Sequence, residues 1–501
     1  MDKSPYYAAL DLGSNSFHLL IVQLTDNGIQ EVDKIKHMVR LGEGLGSDNY
    51  LSELSIQRAL DALREMRQRI AHIPSEQIRA VGTNTMRVAE NGETFLALAE
   101  QALGADIEII SGTEEARLIY LGITEHNHFK DQILVIDVGG GSTEIIVGNG
   151  NHPQLLRSMK MGCANMATRF FPKGKITKNA VKKALAYVGK TVEPHISDIS
   201  QYPWQRVVMS SGTAKAVEKV LIKLGLSESG IHKDALKKLL EILIDIGRAD
   251  KLSEKLGIDE ARAFGFPGGV CILAALSDNL KITQAIVSQQ ALREGVLLDL
   301  MGKSRGISDQ RYETVFAMQN RFNIDKNQSD RVHELALYLF EAFPNITPSR
   351  FLPLLGFAAD LHEIGLSIAR SKQQNHGAYL MENAEMPGFS RLMQQMMAIL
   401  LRGQRKKLPI KQISELSPAY QAFMWQFVFS LRFAILLYRL RIKLNKSDYP
   451  KVIVKNNKIS LVFSTEFLQA RPLTVSDLQE ECQSWEDSPY QLIINLPKEE
   501  E

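Results

Sequence analysis

Two segments about one domain length apart share a single design, and that repeat limits the fold more than any other feature of the chain. In the first, the apolar run Tyr6–Leu10 enters Asp11-Leu12-Gly13-Ser14-Asn15-Ser16 and leaves through the apolar run Phe17–Leu24. In the second, Ile133–Ile136 enters Asp137-Val138-Gly139-Gly140-Gly141-Ser142-Thr143-Glu144 and leaves through Ile145–Val147. Short apolar runs around a Gly/Ser/Asn cluster predict strand, tight turn, strand. One such turn is ordinary hairpin chemistry. Two, each with an aspartate at its mouth, predict a duplicated α/β module and hence two similar lobes.

The intervening sequence fits that plan. Ser55–Ile70 places Ile56, Leu60, Leu63, Met66 and Ile70 on one helical face, and Lys178–Val188 begins another amphipathic run. Further strands are expected at Ile78–Val81, Ile107–Ile110 and Val207–Met209, the last running into Ser210-Ser211-Gly212-Thr213 and a helix from about Ala214. Beyond Leu300 the texture turns helical, with Asp330–Phe340, Phe351–Ile364, Phe389–Leu401 and Ala419–Ile442 divided by Pro and Gly. Val452–Val454 and Ile459–Phe463, joined through Lys455-Asn456-Asn457-Lys458, read as a terminal hairpin in a small α/β cap. The expected domains are lobe I, 1–130; lobe II, 131–302; a helical domain, 303–446; and the cap, 447–501. The tail Lys498–Glu501 reads as loose.

Composition narrows the setting. With 501 residues, 45% of them hydrophobic, the chain can bury several cores. No basic segment followed by an apolar core marks an export signal near the N-terminus. The most apolar stretch, Ala422–Leu444, carries Gln426, Arg432, Arg439, Arg441 and Lys443, so it reads as a core helix and no membrane partner is expected. Cys163, Cys271 and Cys482 form neither a metal spacing nor an even set, which fits a reducing, cytoplasmic location. The net charge of +2 hides an asymmetry: Arg402–Lys458 holds thirteen Lys/Arg against Glu415 and Asp448. Such a stretch either attracts a polyanion or is a solvated helix face.

The chemistry begins at the turns. Gly/Ser/Asn turns expose backbone N–H groups and hydroxyls to phosphate oxygens, and an aspartate at each mouth can hold a divalent cation against them. A Walker loop is excluded because both turns lead into β-branched strands and no lysine stands in the required place. A dinucleotide-binding turn fails for the same reason. What remains resembles the actin, sugar kinase and heat-shock ATPase superfold (the ASKHA, ribonuclease H-like class), in which two lobes offer facing phosphate hairpins around a cleft. Gly13, Ser14, Asn15 and Ser16 would form one hairpin, Gly139, Gly140, Gly141, Ser142 and Thr143 the other, and Ser211-Gly212-Thr213 a third loop.

Five motifs in order narrow the resemblance further. Asp11 to His18, Gly82-Thr83-Asn84-Thr85-Met86-Arg87, Ile110-Ser111-Gly112-Thr113-Glu114-Glu115-Ala116-Arg117-Leu118, Asp137 to Glu144, and Ala291-Leu292-Arg293-Glu294-Gly295 resemble the exopolyphosphatase and guanosine pentaphosphate phosphohydrolase family over nearly the whole chain. The resemblance implies Mg²⁺-assisted hydrolysis of a terminal phosphoanhydride, with Glu115 as base and, commonly, a homodimer. Glu114 fits a capping box with Ser111, whereas Glu115 is left without a structural task in a helical turn that keeps a carboxylate ionised. Arg87 would stabilise charge on the transferred phosphoryl group, and Asp11, Asp137 and Glu144 would serve as metal or water ligands. Lys160 is a further phosphate candidate, and Gly42, Gly44 and Gly46 read as a loop. His333, His362-Glu363 and His376 resemble a decayed HD phosphohydrolase site and read as core or dimer-contact residues. Gly141 and the basic stretch lean toward polyphosphate, whereas Ile73–Arg79 and the short C-terminal end lean toward guanosine pentaphosphate (pppGpp). The nucleotide is the expected substrate, polyphosphate is shared, and nucleic acid is not expected. A kinase or chaperone of the same superfold, and a non-catalytic polyanion binder, are the rival classes.

Overall fold

The computed structural model describes residues 4–495 apart from 27, 47, 128, 305–308 and 345. The tail 498–501 lies outside the described residues. The chain divides into two compact units, Met1–Asp309 and Gln310–Glu501, so the expected boundaries near 130 and 446 fall inside units.

The first unit holds two sheets of like topology. β1 (Tyr6–Leu12), β2 (Phe17–Thr25), β3 (Gly28–His37), β4 (Ile78–Gly82) and β5 (Ile107–Ile109) are ordered β3-β2-β1-β4-β5. In the second lobe, β6 (Gln132–Val138), β7 (Thr143–Asn149), β8 (His152–Met159), β9 (Arg206–Ser210), β10 (Ile231–His232) and β11 (Gln284–Val287) are ordered β10-β11-β9-β6-β7-β8. Both sheets pair the hairpin strands antiparallel, β1 with β2 and β6 with β7, and add the next strand parallel, β4 beside β1 and β9 beside β6. These are two actin-like lobes.

Why the strands are apolar on both faces follows from the layers. Ala8, Leu10 and Leu12 enter the core of the first lobe, while the intervening Tyr7 and Ala9 enter a second core. Leu134, Ile136 and Val138 likewise face the second lobe's own core, while Ile133 and Val135 join that same central core. Two helices complete it: Gly112–Asn127, which carries Glu115, and Leu292–Ser304. The second, expected in lobe II by chain order, packs on the Glu115 helix and on β1 of lobe I. The helices cross at glycine: a Cβ on Gly295 would overlap the carbonyl oxygen of Leu118, and one on Gly122 that of Ala291.

In the second unit, helices at Gln310–Arg321, Lys326–Phe340, Pro353–Asp360, Gln373–Asn383, Arg391–Gly403 and Pro418–Leu437 share one core with a terminal sheet. That sheet contains the expected hairpin, β12 (Lys451–Lys455) and β13 (Lys458–Val462), with an unforeseen third strand, β14 (Gln491–Ile494), parallel to β13. The helix Pro418–Leu437 is long and apolar enough to cross a membrane, yet 72% of its apolar window is buried within the protein. Its Arg432 is buried too, holding both carboxylate oxygens of Glu481 at 2.6 and 2.8 Å.

Candidate active site

Register makes the two turns equivalent. Leu12 faces Phe17 across one turn and Val138 faces Thr143 across the other, and each is closed by a backbone hydrogen bond, Gly13 N to Ser16 O at 3.2 Å and Gly139 N to Ser142 O at 2.9 Å. Asp11 and Asp137 therefore stand at matching positions, and His18 occupies the place that Glu144 takes in the second lobe. The turns nearly touch. A Cβ on Gly140 would stand 3.2 Å from Cβ of Ser14, and one on Gly141 would overlap the Asn84 amide, so a side chain at either position would push against the neighbouring lobe.

Between them lies a cleft of about 600 Å³. Its lining includes Asp11, the turn residues Gly13–Ser16 and Gly139–Ser142, Asp137, Glu115 and Ser211-Gly212-Thr213. Three expected site residues are placed elsewhere. Thr143 is fully buried and donates its hydroxyl to the Met161 carbonyl at 2.6 Å, so it is a strut of the turn. Glu144 lies buried below the cleft, accepting a hydrogen bond from the Ser158 hydroxyl at 2.7 Å. Arg87, expected on the phosphoryl group, instead donates to Glu115 Oε2 and to the Ile110 carbonyl, both at 2.8 Å. It stands outside the cleft lining and holds the base candidate in place.

Other local readings change as well. Ser211-Gly212-Thr213 is the first turn of the helix Ser211–Lys223 rather than a loop, and it lines the cleft as a helix N-terminus. Ser211 holds φ +91°, a conformation side chains rarely adopt, with its hydroxyl accepting from the Thr213 and Ala214 N–H groups. The Gly42 loop supports the first turn: Arg40 N donates to Asn15 O and Gly42 N to Ser14 O, each at 2.8 Å. Lys160 is exposed and outside the cleft lining. The capping box is half formed, because Ser111 Oγ accepts from Glu114 N at 3.1 Å while the Glu114 carboxylate takes Arg117 at 2.7 and 2.8 Å. Arg117 reaches Asp299 at 2.6 Å, and Arg79 pairs with Asp299 and Glu108, making a buried charge network that ties β4 to both crossing helices.

Electrostatically the cleft has an acidic floor and a basic mouth. Burial, reinforced by Glu115, Asp137 and Glu294 against the opposing pull of Arg293, lifts the Asp11 carboxyl to about 8. Burial lifts Asp137 to about 6 despite the hydrogen bond from Ser210, and raises Glu144 well above the usual range with Glu115 and Asp137 beside it. One Asp11 oxygen is buried with no hydrogen-bond partner. Around the mouth stand Lys34, Lys36, Lys215, Arg262 and Arg293, none assigned a role by the sequence reading. Burial lowers Lys36 and Lys215, helped by Arg262 beside the first and Arg293 beside the second, and an anion in the cleft would relieve both. Lys34 and Lys36 alternate along β3, a period-two signal visible in the sequence. His18 and Arg293 lay within two of the five motifs, but only the fold brings them to 3.4 Å of each other.

The model of the Ppx/GppA phosphatase family matches residues 20–304, and that of the family's domain III matches 310–482. The chain belongs to the Ppx/GppA phosphatase family. Among curated members, it is 34% identical over 495 residues to the guanosine-5′-triphosphate,3′-diphosphate pyrophosphatase of Photobacterium profundum, with 98% of each chain covered. It is 36% identical over 421 residues to the protein of that name from Aeromonas hydrophila, covering 83% of this chain and 84% of the relative. Among solved structures, the Ppx/GppA family member of Aquifex aeolicus is 25% identical with a TM-score of 0.51, covering 60% of this chain and 98% of the other. An exopolyphosphatase from Cytophaga hutchinsonii has the same fold at 23% identity and a TM-score of 0.55, over 60% of this chain and 99% of the other.

Proposed function

We propose that this Ppx/GppA family member hydrolyses the terminal phosphoanhydride of guanosine pentaphosphate, releasing orthophosphate and guanosine tetraphosphate. The observation that carries the reading is the meeting of Glu115 with both hairpin turns and a helix N-terminus in one cleft. Backbone N–H groups from three sides suit a chain of phosphates, and Glu115 accepts the proton of the water that attacks the last phosphorus. Arg87 orients Glu115 through one oxygen. The near full-length relatives named for guanosine-5′-triphosphate,3′-diphosphate support the nucleotide as substrate.

The acidic floor fits a divalent cation, Mg²⁺ by the family resemblance. Asp11 has a buried oxygen without a partner, and Asp11, Asp137 and Glu144 are all displaced toward the protonated form by burial and, after it, by neighbouring carboxylates. Asp11 and Asp137 would hold the ion, with Glu144 supporting from below. Among the described residues no cluster of three or more metal-ligating side chains occurs, consistent with an ion that keeps several waters and takes the rest of its ligands from phosphate. When bound, it neutralises charge on the phosphates.

The cations at the mouth favour polyphosphate as a shared substrate: although Arg293 is paired with Glu294, Lys36, Lys215 and Arg262 continue the cleft with positive charge and read no base. Orthophosphate release from guanosine pentaphosphate and from long-chain polyphosphate, measured side by side at equal ionic strength, tests the order. A higher kcat/KM for the nucleotide supports the proposal, and release from polyphosphate alone refutes it.

A further inference from the structure

The C-terminal unit contains a cavity of about 750 Å³ that the hydrolytic reading does not use. Of the seven cations on its wall, Arg432, Arg439 and Arg441 are neutralised by Glu481, Asp477 and Glu363. Arg370, Arg405, Lys406 and Lys407 have no ion pair or side-chain hydrogen bond to any described residue. Two further acids on the wall, Glu480 and Asp487, are solvent-exposed. The turn that presents Arg405, Lys406 and Lys407 is held rigidly: Arg432 donates to the Gly403 carbonyl at 2.9 Å and to the Lys406 carbonyl at 2.6 Å while anchored by Glu481. Burial, together with the nearness of Arg439, Arg370 and Arg432, pushes the Arg405 guanidinium below its ordinary value. The backbone that carries Arg405, Lys406 and Lys407 is thus fixed, Arg405 is partly buried, and Arg370, Lys406 and Lys407 extend to solvent without an acidic partner among the described residues.

A second observation points to what the charge meets. Gln404 is 2% exposed and lines the same cavity. Its Nε2 donates to the His362 carbonyl at 3.0 Å, which fixes the amide orientation, and its buried Oε1 has no partner. An unmatched buried acceptor is unfavourable, so a ligand that brings a donor to it gains affinity over one that does not. A bare phosphate chain at neutral pH brings acceptors only, and would leave this oxygen unmatched. Leu366, Leu408, Ile435 and Leu436 supply apolar wall beside it.

We propose that this cavity is a second ligand site, built for a nucleotide whose phosphates meet Arg370, Arg405, Lys406 and Lys407 and whose base donates to Oε1 of Gln404. It is independent of the cleft assignment, since every residue named belongs to the C-terminal unit. Cations in this segment that could serve a long polyanion are thereby assigned to a compact one.

Hydrogen exchange on the full chain, in chelator to suppress turnover, tests it with GDP, ADP, inorganic tripolyphosphate and long-chain polyphosphate as probes. Either nucleotide should slow exchange saturably in peptides spanning 361–373 and 401–410. The double variant Arg370→Ala/Arg405→Ala, altering two side chains that support no other described group, should weaken this by about tenfold or more while leaving nucleotide protection around the cleft unchanged. Gln404→Met should weaken nucleotide but not tripolyphosphate binding. Should Gln404→Met fail to fold, the arginine pair still decides. Absence of nucleotide protection in these peptides, protection that persists in the arginine variant, or equal or tighter binding of either inorganic polyanion would overturn the proposal.

Discussion

Glu114 and Glu115 are adjacent in sequence and face different tasks: one is locked against Arg117 and Arg79 in the interior, the other lines the cleft against Arg87. The spacing Ser111-x-x-Glu114 spells a capping box, and half of one is present. What the sequence could not reveal is that Arg79 and Asp299, distant along the chain, complete a buried network around that carboxylate. Glu114→Gln takes from Arg117 the carboxylate that holds it through two bonds and leaves it only Asp299, which Arg79 shares, so it should cost about 3–5 kcal/mol in denaturant unfolding, while the folded fraction retains its kcat. A loss below about 1 kcal/mol would return Glu114 to a simple capping role. Arg87 was legible as a functional arginine from its motif, but its direction was not, because Glu115 and the Ile110 carbonyl together claim its guanidinium.

At the scale of elements, the repeated strand-turn-strand was readable because its signal is local: period-two apolar runs and a Gly/Ser/Asn turn. The crossing of the helices Gly112–Asn127 and Leu292–Ser304 was not, since it joins segments far apart and depends on an absent side chain. Gly295→Ala places a methyl against the Leu118 carbonyl and should lower stability by about 1–3 kcal/mol, with a fall in kcat as the Glu115 helix shifts. Unchanged stability and rate would show that the crossing tolerates separation. In the C-terminal unit, His333 on the helix Lys326–Phe340 pairs with Asp360 at 2.7 Å, joining two helices. The hydrogen bond to Asp360 raises the His333 pKa despite opposing burial, so the folded state binds the proton more tightly than the unfolded chain. That contribution is fully present below about pH 6.5 and is lost as pH rises through the folded value. Stability of this unit should therefore fall over that window, and His333→Gln should flatten the fall; an identical pH profile in the variant would exclude the pair as its source.

For the whole molecule, the turn residues legible in the sequence line the centre of the cleft, whereas its rim was not legible, because Lys34, Lys36, Lys215, Arg262 and Arg293 converge there from four separated segments. It also read Arg402–Lys458 as a uniform basic stretch, although folding pairs six of its cations, Arg402, Lys411, Arg432, Arg439, Arg441 and Lys446, with acids. Chelation should abolish turnover, and added Mg²⁺ should raise the melting temperature of the wild type but not of Asp11→Asn, because the crowded carboxylates are what the cation relieves. Turnover in excess chelator would contradict the acidic floor as a cation site. The central claim is that water, deprotonated by Glu115, attacks the terminal phosphorus of guanosine pentaphosphate. Hydrolysis in ¹⁸O-labelled water tests it most directly, with products weighed by mass spectrometry for the wild type and for Glu115→Gln. The account predicts one labelled oxygen in orthophosphate, none in guanosine tetraphosphate, and a kcat lower by about two to four orders of magnitude in the variant with little change in KM. Label in the nucleotide product, or an undiminished rate in Glu115→Gln, would contradict it.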